Sequence, residues 1–313
     1  MSAVAADRTR RRAFAAVVGG ALCIAFAPIF VRLSEISPTA TAFQRTLLAL
    51  PLFAVWAWRE GKHVERRPLD RNLVLGILLC GFFFAGDLAA WHLSIMYTSV
   101  ANATLLANVA PVIVTVAAWL LFRERITGTF LVGMLVGLGG AGLLVRGSLE
   151  FGGSHLLGDL LGILTAFFYA GYQLAIKGLR RYLPTARLMG LSTAVTCVLL
   201  LAVCLLLREP LFPVTVRGWL VVVGLAWVSQ VAGQGLIAYG MAHLPASFSS
   251  VSLLVQPVAA TVLAWAWLGE SLSWWQAAGG AAVLGGILLA RRGSLGAAAS
   301  AAPTTNEAVP RLD

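Results

Sequence analysis

The 313-residue chain is poor in charged residues. Lys, Arg, Asp and Glu together make up 12% of it, and only 13 residues are acidic. Soluble domains contain about 25% charged residues, so most of the surface of this chain cannot face water. Its hydrophobic content of 59% and its mean hydropathy of +0.86 support the same conclusion. The sequence therefore predicts an integral membrane protein.

The chain also lacks the motifs of several enzyme classes. It contains no Walker lysine motif, no HExxH pair and no GxSxG turn, and its four cysteines form no CxxC pair. A GxGxxG match at 137–142 follows no strand and lies within an apolar run, which is typical of close helix packing. The four histidines are dispersed: His63, His92, His155 and His243. We therefore expect no enzyme activity and no metal or other cofactor.

Long apolar runs take the place of such motifs. Runs of about 17 to 25 residues predict transmembrane helices, and ten occur, at 13–31, 39–58, 73–96, 99–122, 127–145, 157–177, 186–207, 218–241, 245–268 and 274–290. The first run has a basic start, as a signal peptide has, but it is long enough to span a membrane and no clear small-residue cleavage site follows it. We expect it to be retained, between a basic tail at 1–12 and a disordered tail at 296–313.

One stretch of the sequence occurs twice. The segment PVIVTVAAWLLFRERIT at 111–127 aligns without gaps on PVAATVLAWAWLGESLS at 257–273, an offset of 146 residues. The chain is therefore interpreted as two copies of one unit, at 13–149 and 150–295. Each copy holds five predicted spans, and an odd number of crossings makes the second copy enter from the opposite face. The predicted fold is all-α, with ten transmembrane helices in two inverted five-helix repeats.

The basic residues lie mainly on one predicted side of the membrane. With the amino terminus inside, 18 of the 23 Lys and Arg residues fall in cytoplasmic segments and four in outer loops, and Arg45 alone lies within a span. This distribution predicts that both termini are cytoplasmic. It also explains the net charge of +10 without nucleic acid, so the expected partners are the lipid bilayer and a small-molecule substrate.

Polar and aromatic side chains recur at helical spacing in five of the predicted spans. Polar groups are costly within a bilayer and are therefore candidates for function. Their faces must meet inside the bundle, where they either bond helix to helix or line a wet cavity. We favour a cavity for the set as a whole. The substrate-binding candidates are Asp87, Trp91, Asn108, Tyr169, Tyr172, Gln173, Trp227, Gln230, Gln234 and Gln256.

Asp87 and Arg45 are the only clear charges well inside the predicted spans. An uncompensated charge at mid-bilayer costs at least about 2.5 kcal/mol, so each is expected to have a partner or water. Their pairing with each other is left open. Asp87 is also the one acidic residue placed to couple transport to protons, and the alternative is transport without coupling. Arg45, His92 and Lys177 are secondary candidates.

The repeated order of Pro, Trp and Glu at the ends of the fourth and ninth spans, followed by glycine-rich spans, resembles the EamA-type carriers of the drug/metabolite transporter superfamily. The resemblance covers 13–295, and within that group the chain is most similar to the YddG-type amino-acid exporters. It implies a secondary carrier of the bacterial inner membrane with a cavity between its two halves. Gly269 before Glu270 matches the Gly-Glu turn of the family, whereas Arg123 stands before Glu124. Both glutamates are interpreted as parts of tight polar turns.

The candidate residues suit an amino-acid-like substrate. Aromatic rings offer a stacking surface, and the amides can bind an ammonium and a carboxylate without fixed charge. The predicted function is export of small metabolites, first of all amino acids including aromatic and hydrophobic ones, by alternating access. The alternatives within the superfamily are hydrophobic cations, other drugs, sugars and nucleotide sugars. A channel, a scaffold or a membrane-embedded enzyme are the alternatives from other classes.

Overall fold

A computed structural model describes residues 3–62, 68–98, 100–146, 155–268 and 273–299. These residues are almost entirely helical. The helices are α1 (Ala3–Ile24), α2 (Ala27–Leu33), α3 (Pro38–Leu47), α4 (Leu50–Glu60), α5 (Arg71–Tyr97), α6 (Val100–Ala107), α7 (Ala110–Phe122), α8 (Gly128–Val145), α9 (Leu156–Leu179), α10 (Thr185–Leu207), α11 (Val216–Gly224), a π-helical segment (Leu225–Gln234), α12 (Gly235–Met241), α13 (Ala246–Ser252), α14 (Val255–Leu268) and α15 (Trp274–Ala299).

Nine helical segments among the described residues are long and apolar enough to cross a membrane. They are Asp7–Leu33, Pro38–Glu60, Arg71–Tyr97, Asn102–Phe122, Gly128–Val145, Leu156–Leu179, Thr185–Leu207, Val216–Met241 and Ala246–Leu263. The tenth predicted span lies in α15, which is not among them because Gln276, Arg291 and Arg292 dilute its apolar residues. The all-helical prediction is confirmed for the described residues, and the count of ten stays a prediction.

Several spans are broken in the middle, next to a proline. Pro28, Pro51 and Pro111 each occupy the first or second position of the second half-helix, in α2, α4 and α7. Pro257 is the third residue of α14. A proline lacks the amide hydrogen that would bond the carbonyl four residues earlier, so the regular hydrogen-bond ladder stops there. Irregular backbone of this kind is tolerated at membrane depth only inside the protein or beside a cavity.

Helices α8 and α15 pack closely and run antiparallel. A methyl group added at Gly140 would lie 2.6 Å from the carbonyl oxygen of Gly279, and one added at Gly133 would lie 2.6 Å from that of Gly286. These two contacts follow opposite directions along the two helices. Glycine therefore lets the backbones touch, and within 137–142 this packing involves Gly137 and Gly140.

The remaining helices surround a central space. Helix α5 packs along α9, α1 packs along the π-helical segment and α12, and α10 packs against α3, α4 and α5. Helix α7 contacts both α9 and α13, so elements from the two halves of the chain alternate around the middle of the bundle. The interior walls of the space described below come from both halves.

Carboxylates cap helix starts at one end of the bundle. Glu124 accepts hydrogen bonds from the amides of Ala246 and Ser247 at 2.6 and 3.1 Å, and from the Ser247 hydroxyl at 2.6 Å. A carboxylate at a helix start satisfies free amides and the helix dipole. The turn at Glu124 is present, but its side chain stabilises the start of α13 in the other half of the chain. Glu270 lies outside the described residues.

Arg123, directly before Glu124, adopts a backbone conformation that is unusual for a residue other than glycine. It ends α7 in the left-handed region, with φ 53° and ψ 38°. Glycine adopts this conformation without steric penalty. The Gly-Glu order expected for this turn therefore has a physical basis, and Arg123 fills the position with an arginine.

Candidate functional site

A cavity of about 160 Å³ lies inside the bundle. One water molecule occupies about 30 Å³ in the liquid, so the cavity has room for a small ligand. It lies between the end of α1, α2, α3, α5 to α7, α9, the π-helical segment, α13 and α14. The polar and aromatic residues that line it are Arg45, Phe84, Asp87, Trp91, Thr104, Asn108, Thr165, Tyr169, Gln234, Ser250 and Gln256.

Most of the substrate-binding candidates meet at this cavity. Six of them line it, together with the secondary candidate Arg45: Asp87, Trp91, Asn108, Tyr169, Gln234 and Gln256. Tyr172, Gln173, Trp227 and Gln230 do not. The structure therefore brings the larger part of the candidate set together at one cavity, and the four others lie elsewhere.

One face of α5 forms a continuous wall of the cavity. Phe84, Asp87, Leu88 and Trp91 all line it, and their spacing of three and four residues places them on one side of an α-helix. Ser94, three residues after Trp91, serves helix packing. Ser94 donates a hydrogen bond to the carbonyl of Gly158 at 2.7 Å.

Arg45 is a buried cation at the cavity wall. Its side chain is 5% exposed, and its Nε donates a hydrogen bond to Oε1 of Gln230 at 2.8 Å. The guanidinium carbon lies 5.8 Å from the centre of the Phe84 ring, within the range of a cation–π contact. Neither terminal nitrogen of Arg45 hydrogen-bonds to a described residue. Those nitrogens have capacity for further hydrogen bonds, and Arg45 lines the cavity.

Asp87 lies at the same cavity, where its carboxylate is unbonded in the part of the chain that the structure describes. No described residue donates a hydrogen bond to its carboxylate, and it forms no salt bridge with Arg45. The pairing of the two charges that the sequence left open is therefore absent. Two opposite charges face one space, and each is free to bind a group that enters it.

Tyr172 and Gln230 form a layer behind the cavity wall. Tyr172 is 1% exposed, stacks on Phe84 with ring centres 4.3 Å apart, and donates a hydrogen bond to Oε1 of Gln234 at 3.4 Å. Gln230 holds Arg45 and donates from Nε2 to Thr193 at 3.4 Å. Tyr172 and Gln230 therefore do not line the cavity, and in the structure they support residues that do.

Gln173 is buried away from the cavity. Both of its amide atoms lack a hydrogen-bond partner among the described residues, which is a costly state for a buried polar group. The buried atoms Nε2 of Gln256 and Oγ of Ser250 are also unpartnered within that part of the chain, but these residues line the cavity. A polar ligand could satisfy those two atoms.

The placement of Trp227 in the cavity is wrong. Its side chain is 52% exposed on the outer surface of the bundle. Trp227 and Gln230 share a face only at α-helical spacing, and both lie in the π-helical segment. A π-helix turns less per residue than an α-helix, because its bonds run from i to i+5. The two side chains therefore diverge.

The secondary candidates Lys177 and His92 also lie outside the cavity. Nζ of Lys177 donates to the carbonyls of Met241 and Leu244 at 2.9 and 2.5 Å, so it satisfies the end of α12. His92 is 2% exposed, with its ring centre 5.2 Å from that of Trp91 and its Nδ1 without a hydrogen-bond partner among the described residues. Both side chains are therefore packed against other parts of the protein and do not reach the cavity.

Polar contacts close the end of the bundle that holds Lys177, which we call the Lys177 end. Besides Lys177 and the Glu124 cap, Nε of Arg180 donates to the carbonyl of Ala238 at 3.3 Å. Burial, and then the charges of Arg180 and Lys177, lower the pKa of nearby His243. Counting along the helices, Arg45, Asp87 and Asn108 lie nearer the opposite ends of their spans. The cavity therefore lies mainly in the half of the bundle away from the Lys177 end.

Sequence reasoning missed some of the lining. Pro28, Pro111 and Pro257 lie at the cavity, each with the residue four positions earlier, namely Ile24, Ala107 and Leu253. The signal was a proline in the middle of an apolar run. Ser250 also lines the cavity, close to the point where α13 ends and before α14 begins. Within the part of the chain that the structure describes, no group of three or more His, Cys, Asp or Glu residues could hold a metal ion.

Comparison with known proteins supports a transport role. The model of the EamA-like transporter family matches residues 11–146 and 156–292. A probable terminal-alkyne amino-acid exporter of Streptantibioticus cattleyicolor is 29% identical over 259 residues, covering 79% of this chain and 81% of that protein. The pseudopaline exporter of Pseudomonas aeruginosa is 27% identical over 201 residues, covering 64% of this chain and 68% of that protein.

Two further comparisons cover different shares of the chain. An uncharacterized transporter of Archaeoglobus fulgidus is 34% identical over 165 residues, 49% of this chain, and the match spans about half of that protein, 54%. A protein of known crystal structure superimposes with a TM-score of 0.73 at 20% identity, covering 91% of this chain and 98% of the other. This likeness shows a common fold.

Proposed function

The chain belongs to the EamA-like transporter family, and we propose that it exports amino acids, including aromatic and hydrophobic ones, by alternating access through the central cavity. The family and the apolar helices make it a multi-pass membrane protein with a transport role. The names of two relatives, an amino-acid exporter and a pseudopaline exporter, favour export of small polar molecules.

The observation that carries the proposal is the lining of the cavity. Trp91, Tyr169 and Phe84 supply aromatic surface, while Asn108 and Gln256 supply amides. Small-molecule sites commonly combine an apolar wall with a few placed polar groups. Of the ten binding candidates, those that line the cavity are proposed to touch substrate, and Tyr172 and Gln230 are proposed to position them.

The proposed architecture is ten transmembrane helices in two inverted repeats. The offset of 146 residues carries Gly133 onto Gly279 and Gly140 onto Gly286. The same offset therefore maps the contact between Gly133 and Gly286 onto the contact between Gly279 and Gly140. Contacts that exchange in this way between antiparallel helices are those expected around a twofold axis in the membrane plane.

The proposed location is the inner membrane of a bacterium, with both termini in the cytoplasm. The distribution of basic residues supports this orientation, and it places the Lys177 end inside. The cavity then lies in the outer half of the bundle, with its cytoplasmic side closed by Lys177 and Glu124. That arrangement suits the outward-facing stage of an exporter, after substrate has crossed the middle of the membrane.

The test is counterflow in liposomes that contain the purified protein. Vesicles are loaded with unlabelled phenylalanine, leucine or alanine, and the entry of the same labelled amino acid is measured. Saturable entry that internal substrate accelerates is the expected result, because a carrier exchanges across the membrane and a channel does not. Hydrophobic cations and nucleotide sugars are tested in parallel. Flux of one of these in place of amino acids would contradict the substrate proposed.

A further inference from the structure

Arg45 and Asp87 carry opposite charges and line one cavity. Both line the cavity and they form no salt bridge. Among the described residues Arg45 has a single hydrogen bond, from Nε to Gln230 at 2.8 Å, which orients the guanidinium and leaves its two terminal nitrogens without a bond there. The carboxylate of Asp87 has no donor among the described residues. A buried charge requires compensating groups. The Gln230 bond and the Phe84 ring compensate Arg45 only in part, and no described residue donates a hydrogen bond to Asp87.

From this arrangement we infer that Arg45 and Asp87 form a two-charge clamp for a zwitterion, in which Arg45 binds a carboxylate and Asp87 binds an ammonium. This inference rests on the proposed transport function and names what its site selects. A guanidinium offers two parallel N–H donors that match a carboxylate. An ammonium of the ligand has three donors, which Asp87 and the cavity amides accept.

A ligand with one charge would fit the clamp poorly. An organic anion would satisfy Arg45 but leave Asp87 both unpaired and repelled, and an organic cation would do the reverse. Sites whose polar groups are left unpaired by an analogue reject that analogue strongly. The clamp therefore selects the charge pattern shared by all amino acids.

The surroundings of the two charges leave the side chain of the ligand to aromatic surface. Phe84 and Trp91 stand three residues before and four residues after Asp87 on the same face of α5, and both line the cavity. Tyr169 faces them from α9. Rings offer contact area without demanding one shape, so the clamp fixes the backbone of an amino acid while its side chain varies.

The experiment compares three molecules of nearly one shape: phenylalanine, phenethylamine, which lacks the carboxylate, and 3-phenylpropanoate, which lacks the ammonium. Binding is measured as thermal stabilisation of the purified protein, so the result does not depend on flux. Phenylalanine is expected to bind about tenfold or more tightly than either analogue. Leucine and alanine are included to test whether the side chain is secondary.

Charge removal at each end of the clamp gives opposite expectations. Arg45→Gln is expected to weaken the binding of phenylalanine about tenfold. It should leave the binding of phenethylamine unchanged or make it tighter. Asp87→Asn is expected to weaken the binding of phenylalanine by a similar factor. It should leave the binding of 3-phenylpropanoate unchanged or make it tighter. Arg45→Lys, which keeps the charge, is expected to keep the preference for the zwitterion. Arg59→Gln and Asp7→Asn, which remove exposed charges elsewhere, serve as matched controls.

Each outcome decides for or against the clamp. Equal binding of the three molecules by the wild type, or equal weakening of all three by both variants, would overturn it, as would the failure of all three amino acids to bind. Zwitterion-selective binding without counterflow would keep the clamp and defeat the transport proposal. Counterflow without charge selectivity would keep the transport proposal and defeat the clamp. Variants that lose a monodisperse gel-filtration peak are replaced by Arg45→Lys and Asp87→Glu. For these two, a retained preference for the zwitterion supports the clamp, and loss of that preference opposes it.

Discussion

Nε of Arg45 donates a hydrogen bond to Oε1 of Gln230 at 2.8 Å, across 185 residues of sequence. The bond joins the first half of the chain to the second at the wall of the cavity. Gln230 in turn donates to Thr193, so its amide is oriented with the oxygen towards Arg45. The direction of the guanidinium is therefore set by a residue that does not line the cavity.

Replacing Gln230 with Leu should affect both stability and binding. Leucine has a similar size but leaves Nε of Arg45 unpaired, which costs about 1 to 3 kcal/mol for a buried group. We expect a lower melting temperature in detergent and weaker binding of phenylalanine. Thr193→Val, which removes only the bond at 3.4 Å, should have a smaller effect. Unchanged melting and binding in Gln230→Leu would show that Arg45 does not depend on this bond.

The two tryptophans Trp91 and Trp227 form a matched pair. Trp91 lines the cavity, whereas Trp227 is 52% exposed on the outer surface. Trp91→Ala should weaken binding of aromatic substrates about two- to tenfold at a normal protein level, and Trp227→Ala should bind and transport like the wild type. Ligand titration of both purified variants measures this. Equal loss in the two variants would contradict the position of the cavity.

Proton coupling through Asp87 stays a prediction, and the clamp gives it a specific form. A proton and a substrate ammonium would compete for the same carboxylate, beside Arg45 and Tyr169 at the cavity and His92 on the same helix. Acidifying the cavity side should therefore weaken amino-acid binding in the wild type, and Asp87→Asn should remove this dependence on pH. Binding titrations over a pH series test it. If His92→Gln removes the dependence instead, His92 is the titrating group and Asp87 is not.

The close contact of α8 with α15 predicts a position-specific loss of stability. A methyl group at Gly140 would meet the backbone of Gly279 and Val283 at 2.6 and 2.7 Å, whereas Gly139 has nothing within 4 Å. Gly140→Leu should destabilise the protein by about 1 to 3 kcal/mol, as overpacking does. Gly139→Leu should change stability little. Melting curves of the two purified variants give the comparison, and similar values would show that the helices separate without cost.

Topology is tested by reporters fused after residue 295. A reporter that is active only in the cytoplasm should be active there, because the basic residues near both termini favour the inner side. A periplasm-specific reporter at the same position should be inactive. The reverse result would show the opposite membrane orientation, with the Lys177 end on the periplasmic side.

The sequence alone determined that the chain is a helical membrane protein and that it contains a repeat. Both follow from properties that need no neighbours: the length of apolar runs sets the spans, and a fixed offset exposes the two copies. It also identified Asp87, Trp91, Asn108 and Tyr169 as interior candidates, because polar groups and aromatic stripes avoid lipid when an interior is available.

Only the tertiary structure decided which candidates meet. Arg45 and Asp87 line the same cavity without a salt bridge between them. Trp227 lies outside the cavity because the π-helical segment changes the direction of that side chain. Glu124 finds its partners at Ala246 and Ser247, more than a hundred residues away. Helical spacing predicts the face of a regular helix, whereas breaks at prolines and contacts between distant helices fix where each face points.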